Sequence, residues 1–262
     1  MKVTILLPLS RKQNADTMIK QVANLALDIH RADLVVVSDR EEITEDWINV
    51  LLKANKCDIK LANFAFTRQK PIAEGNIARR RIRIAEVFNV ARGLIPDDSD
   101  FVFVMEDDTV ASKNALLHLW ASHKALSTEV KNGKIGIISG LQVGRWGFRM
   151  LGAWRVDNVK KPRMYETVPF TQTKILERVD AAGLYCFIVP RQAFIDTEFR
   201  TEDPVGPDVH FGLDLRKNGY HNFIDWTVQT GHLRPGGLIV PDKDVIVVRY
   251  EKQDGEWKRT AP

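Results

Sequence analysis

The chain has few cysteines, no long apolar run and none of the glycine fingerprints of common nucleotide sites. Its 262 residues include only Cys57 and Cys186, far apart and in apolar surroundings. That usage argues against a disulfide-built scaffold and reads as two small buried side chains. No stretch reaches the ~18 consecutive apolar residues of a membrane span. The N-terminal run Val3-Thr-Ile-Leu-Leu7 stops at Pro8, which is too short for a secretory leader, and no small-residue cleavage site follows. The expectation from these absences is a soluble, cytoplasmic protein. No Gly-x-Gly-x-x-Gly follows the first strand and no Gly-x-x-x-x-Gly-Lys-Ser/Thr occurs, so the dinucleotide fingerprint and the P-loop are excluded. Repeats and low-complexity segments are also missing. Neither charge sign dominates: the net charge of +4 is compatible with a phosphate-bearing or nucleic-acid partner without requiring one.

What is present is a strand–helix alternation. With 44% hydrophobic residues, the chain can build one large core or two closely joined lobes. Val3–Leu7, Leu34–Val37, Ile59–Phe66 and Phe101–Met105 read as strands, the first two and the last buried on both faces. Between them lie helical stripes: Ile19, Val22, Ala23 and Leu27, with Asn14 or Asp16 as cap; Trp47, Val50, Leu51 and Ala54; and Asn76 to about Arg92, with Ile77, Ile84, Ala85, Phe88 and Ala91 inward. This order predicts an α/β fold, a mainly parallel sheet flanked by helices. After a helix around Leu116 and Leu119 and a strand at Ile135–Ile138, the alternation breaks. Leu141–Asp157 mixes glycines with Trp146, Phe148 and Trp154, the composition of a binding loop. Met164–Phe170 and Ile175–Asp180 read as antiparallel strands, and Leu184–Val189 as a buried one, with a helix from about Gln192. Pro207 and Gly219 bracket a further helix. Phe223–Trp226 reads as a short strand with His232 in the loop after it. Val245–Arg249 reads as a late strand, and Glu251–Pro262 as a partly disordered end.

The most informative stretch is Phe101-Val-Phe-Val-Met-Glu106-Asp107-Asp108. Ionised carboxylates do not stay buried without partners, so the strand ends at Glu106 and the acids lie at its carboxyl edge, where open α/β sheets bind ligands. Three adjacent carboxylates suit a hard divalent cation such as Mg²⁺ or Mn²⁺, although an acidic turn capping the next helix is also consistent. By alternation Asp107 points away from its neighbours. Ser10 and Arg11 after the first strand and Asp39 after the second meet the same edge. A nucleotide laid across it would find carboxylates for base or ribose and amides for phosphate. Arg79, Arg80, Arg81 and Arg83 cannot all point one way, and Arg79 or Arg80 is the candidate to lean toward that edge. Asp208, in the first turn of its helix, is either a cap or a general base. Asp214 is expected to pair with Arg216 or Lys217, or to be solvated.

The ordered set resembles the family-2 glycosyltransferases and their relatives with the GT-A fold. The carriers are Leu7-Pro8-Leu9-Ser10, Asp39, Gly75-Asn76-Ile77-Ala78-Arg79, Glu106-Asp107-Asp108, Val179-Asp180-Ala-Ala-Gly183, Pro207-Asp208 and His232. Glu106 replaces the first Asp of the Asp-x-Asp motif, and Pro207 replaces the Glu of a Glu-Asp pair. The resemblance implies residues 1–140 as a nucleotide-sugar-binding half, 141–233 as the acceptor-binding half of the same domain, and 234–262 as a C-terminal loop and tail. It implies a metal on Asp108 and His232, a donor nucleotide on Pro8, Ser10, Arg11, Asp39, Arg79, Glu106 and Asp107, and an acceptor side with Trp146 and Asp180. Asp208 would be the base of an inverting transfer from a nucleotide-diphosphate sugar to a hydroxyl acceptor. The acceptor is left open between a glycan, a small molecule and a modified DNA base, the last not favoured. The competing readings are a nucleotidyltransferase acting on a sugar phosphate and a non-catalytic nucleotide- or glycan-binding module.

Overall fold

The computed structural model describes residues 1–26, 31–68, 77–130, 134–142, 152–156, 165–167, 175–202, 205–234, 237–240, 248–253 and 256–260. Its centre is a parallel block. Strands β1 (Lys2–Leu9), β2 (Arg31–Ser38), β3 (Lys60–Phe66) and β4 (Phe101–Met105) lie in the order β3-β2-β1-β4, each pair parallel. Between β4 and β6 (Lys134–Gln142), β11 (Cys186–Pro190) runs antiparallel to both. Next comes β12 (Tyr220–Arg234), parallel to β6.

The continuous apolar runs bury both faces of this sheet, as parallel strands require. Val3, Ile5 and Leu7 of β1 pack with Met18, Ile19 and Val22 of α1 (Lys12–Asn24) and with Leu116 and Leu119 of α4 (Ala115–Glu129). That cluster also takes Ile48 and Leu52 of α2 (Glu45–Ala54). On the other face, Leu6, Val35 and Val102 pack with Phe88 and Ala91 of α3 (Ile77–Arg92). Phe194 of α5 (Arg191–Asp196) and Phe211 of α6 (Pro207–Lys217) complete that side, where Phe199 and Phe211 stack at 4.1 Å.

Local signals set several boundaries. Thr44 Oγ1 accepts the Trp47 N–H at 3.2 Å and starts α2, with Glu45 and Asp46 in its first turn, where the helix dipole favours anions. Gly219, at φ +81°, ends α6 as a residue without Cβ does readily. Pro8 does not close β1; it sits in the strand opposite Val37 of β2. The pairing with β4 has ended at Leu6, so no central ladder needs its missing N–H.

Several expectations need correction. Helix α1 starts at Lys12, without a side-chain cap. Asn14 instead donates to the Asp107 carbonyl, and Asp16 binds Lys20 at 2.6 Å. His232 is not in a loop, because β12 runs unbroken for 15 residues. The late strand is β14 (Val248–Gln253), paired with β13 (Gly237–Val240) and with β15 (Glu256–Thr260). The C-terminal segment thus extends the sheet in antiparallel fashion as far as Thr260. A second sheet of three strands joins β7 (Ala153–Val156) to β8 (Tyr165–Thr167) and β10 (Ala181–Ala182), while β9 (Leu176–Val179) pairs with β12.

Candidate active site

The carboxyl ends of β1, β2 and β4 open on the same edge, and several elements bring polar groups to it. After Met105 the chain turns: the Thr109 N–H donates to the Glu106 carbonyl at 3.0 Å. The turn cancels the alternation expected of an extended chain. Asp107 and Asp108 are 4% and 2% exposed, and both carboxylates face one guanidinium. Arg11 Nη1 pairs closely with Asp107 Oδ1 and lies 3.1 Å from Asp108 Oδ2. The Ser10 N–H donates to Asp107 Oδ2 at 2.7 Å. Asp107, expected to point away, is therefore held by both the Arg11 guanidinium and the Ser10 N–H.

Helix α1 grips this turn through Asn14, expected only as a cap, and through Gln21, which the sequence reading did not single out. Asn14 Nδ2 donates to the Asp107 carbonyl at 2.7 Å. Gln21 Nε2 donates to the Thr109 carbonyl at 3.1 Å, and its Oε1 accepts the Ala111 N–H at 2.7 Å. Arg11, Asn14 and Gln21 recur at helical spacing, and that polar stripe was the available signal.

His232 arrives from the far end of β12, which pairs antiparallel with β5 (Thr109–Val110), placing His232 opposite Thr109. Its Nε2 lies 3.1 Å from Asp108 Oδ2. The Leu233 N–H donates to the Asp108 carbonyl at 2.7 Å. Asp108 and His232 together present a carboxylate oxygen and an imidazole nitrogen, donors that would suit a Mg²⁺ or Mn²⁺ ion. Among the described residues no group of three His, Cys, Asp or Glu gathers as a metal cage, so such a site would be completed by substrate.

Asp39 ends β2 with its carboxylate fully buried. Oδ2 pairs with Arg83 Nε from α3. Oδ1 accepts no hydrogen bond among the described residues, with Arg40 Nε 3.8 Å away. A buried carboxylate oxygen left open in this way is poised for an N–H or O–H of a ligand. The partner chosen from the arginine run is Arg83; Arg79 lies on an exposed part of α3.

Asp208 enters from the start of α6. Its Oδ1 accepts the Val209 N–H at 2.9 Å. Burial raises its pKa, opposed by hydrogen bonds from backbone N–H groups and by the nearby Arg81 charge. Glu106 is pushed up to about 8, chiefly by burial and then by Asp108 and Asp107, with Arg11 opposing and Asp208 adding to the rise. Asp107 is pushed up to about 6 by burial, against the pull of Arg11.

The remaining expected residues lie elsewhere. The Asp180 carboxylate pairs with Arg216 at 2.6 Å, and its carbonyl accepts from Asn222. Asp214 binds Arg200 at 2.7 Å and Lys217 at 2.8 Å, so Lys217 matches the sequence reading and Arg216 does not. Trp146 falls outside the described residues.

No known family model matches the chain, and no curated protein sequence matches it. Solved structures do. GalNAc-T7, solved with UDP, GalNAc and Mn²⁺, superposes with a TM-score of 0.53 at 15% identity, over 89% of this chain and 44% of its own. The mannosyltransferase PcManGT of Pyrobaculum calidifontis, solved with GDP-Man and Mn²⁺, gives 0.52 at 14% identity, over 84% of this chain and 53% of its own. The fold is that of the GT-A glycosyltransferases. A197 from STIV gives 0.51 at 12% identity and matches end to end, over 100% of this chain and 99% of its own. The chain thus spans about half the length of the two larger GT-A proteins and the whole of the smaller one. No helix among the described residues is long and apolar enough to cross a membrane.

Proposed function

We propose that the protein is a divalent-metal-dependent glycosyltransferase that moves a sugar from a nucleotide diphosphate to a hydroxyl acceptor with inversion. The observation that carries this reading is the meeting of Asp108 with His232, beside Asp107 and Arg11, at the carboxyl edge of a GT-A sheet. The acceptor class is a glycan, a small molecule or, least favoured, a modified base in DNA.

Each residue has a role on this reading. Asp39 offers its open Oδ1 to the base or ribose of the donor and is held in place by Arg83. Ser10 and Arg11 border the phosphates, Pro8 shapes the strand exit before them, and Arg79 is the candidate to close over the nucleotide. Asp108 and His232 would hold the metal, which would supply positive charge against the leaving diphosphate. Glu106, beside Asp107 and Asp108 at the same edge, is the partner for a hydroxyl of the donor ribose. Asp208 takes the acceptor proton during attack. A carboxylate with a raised pKa is a better base than an exposed one at the same pH. Trp146 and Asp180 belong to the acceptor side.

The test is thermal unfolding with a panel of nucleoside diphosphates, with and without Mn²⁺, then mass spectrometry of acceptor pools incubated with mixed nucleotide sugars. A metal-dependent rise in midpoint and a hexose-type mass gain are expected. Failure of every nucleoside diphosphate to raise the midpoint would end the reading.

A further inference from the structure

Arg11 occupies a place where a metal-binding site should tolerate positive charge poorly. Its Nη1 lies 3.1 Å from Asp108 Oδ2, and that same oxygen lies 3.1 Å from His232 Nε2. One carboxylate oxygen is thus shared between an imidazole that can join it on a metal and a guanidinium that cannot. Arg11 also pairs with Asp107 Oδ1. Its side chain is 31% exposed, against 6% for Asp107, so the guanidinium sits at the solvent side of the buried acids. A polyanion entering from solvent meets it first.

We infer that Arg11 is a resident cation that weakens binding of free metal at Asp108 and His232 and releases that block to an arriving diphosphate, so that metal and donor bind as a unit. This inference rests on the glycosyltransferase reading of the site. A divalent ion on Asp108 Oδ2 would stand beside a fixed positive charge, and like charges that close in a partly buried site repel strongly. A diphosphate changes the balance because a guanidinium matches phosphate with paired hydrogen bonds. Once Arg11 turns to phosphate, both its charge and that of the metal have anionic partners. The acids would not scatter when it turns. Ser10 N–H still binds the Asp107 carboxylate, Asn14 the Asp107 carbonyl, and Leu233 N–H the Asp108 carbonyl. Without donor, Arg11 supplies the counter-charge that lets adjacent buried carboxylates coexist.

The test is direct titration of Mn²⁺ into the full-length chain, with free ion followed by its electron paramagnetic resonance signal, alone and then with UDP or GDP. Wild type is expected to bind Mn²⁺ at least tenfold more tightly with a nucleoside diphosphate than without. Arg11→Met should bind Mn²⁺ alone at least fivefold more tightly than wild type and gain less from the nucleotide. Arg11→Lys keeps the charge but loses the fork; it should fall between the two, and it serves if the methionine variant does not fold. Equal or weaker binding of Mn²⁺ alone by the variants, or no Mn²⁺ binding by any form, overturns the inference. If UDP and GDP bind wild type with metal while the variants gain nothing for Mn²⁺ alone, the Arg11 inference fails and the transferase reading stands. If neither nucleotide binds wild type under any condition, both fail.

Discussion

Asp108 and His232 lie 124 positions apart in sequence and meet at 3.1 Å, because β12 passes its own end along the turn that follows β4. The contact is doubled by the backbone, Leu233 N–H to the Asp108 carbonyl. Asp108→Asn keeps the shape and removes the charge. It should abolish Mn²⁺-dependent thermal protection by nucleoside diphosphates and lower transfer at least 100-fold, with the unfolding midpoint in the absence of ligand little changed. Protection that survives in Asp108→Asn would place the metal elsewhere.

Asp208 should separate chemistry from binding. General-base removal typically costs about 10²–10⁴ in rate. Asp208→Asn is expected to lose transfer on that scale while nucleotide and metal still raise the midpoint. Loss of nucleotide binding in this variant would contradict its role as base.

The pH dependence follows from the same residue. Burial raises the Asp208 pKa above its ordinary 3.8. The base works only when ionised, so transfer should rise with pH through this raised value and fall on acidification before an exposed aspartate would protonate. The sign for stability is opposite: a raised carboxyl pKa means the folded state favours the neutral form, so this group's contribution to stability declines as pH rises through it. A rate profile with an acidic limb at or below the ordinary aspartate value would remove Asp208 from the mechanism.

Arg83 supports Asp39, whose carboxylate is fully buried. Removing one partner of a buried pair commonly costs about 3–5 kcal/mol; Arg83 is 20% exposed on its side chain, so Arg83→Met should cost somewhat less, about 2–4 kcal/mol. Chemical denaturation would read this. The variant should also bind nucleotide more weakly, because Asp39 loses the contact that orients its open oxygen. Unchanged stability would show that the Asp39–Arg83 pair contributes little.

Gly212 lets α6 lie directly on β10. A Cβ there would stand 2.6 Å from Ala181 Cα and 2.8 Å from the Asp180 carbonyl oxygen, both backbone. Gly212→Val should destabilise by about 1–3 kcal/mol and shift Asp208 at the head of the same helix. Transfer is expected to fall more than nucleotide binding, a split that steady-state kinetics and calorimetry resolve.

Much of this was legible in the chain. The parallel block could be read because Val, Ile, Leu and Phe fill both faces of β1, β2 and β4, and burial on both faces leaves no other pattern. The acidic turn could be placed at the sheet edge because carboxylates cannot follow an apolar strand into the core. The choice of Arg83 over Arg79 could not be read, since four arginines in one turn differ only in helical phase and a one-residue error moves each by about 100°. The orientation of Asp107 was misjudged because alternation applies to extended chain and the segment turns. The late strand expected at Val245–Arg249 corresponds to β14, whereas β15 does not stand out because charged residues flank its one apolar residue, Trp257, along Glu256–Thr260. An Asp-Gly dipeptide, a common hairpin signal, follows Gln253 in the sequence.

The length of β12 has one more consequence. A single strand begins with Tyr220 beside Lys134 and finishes with Arg234 opposite Gly237, pairing with Thr109 beside the acidic turn on the way. Whatever stiffens the turn must therefore stiffen a beam that reaches the C-terminal strands. Amide exchange along Gly237–Val240, in β13 between β12 and β14, should slow when donor and metal are bound. The last strands of the chain would then act as a built-in reporter of occupancy at its first functional edge.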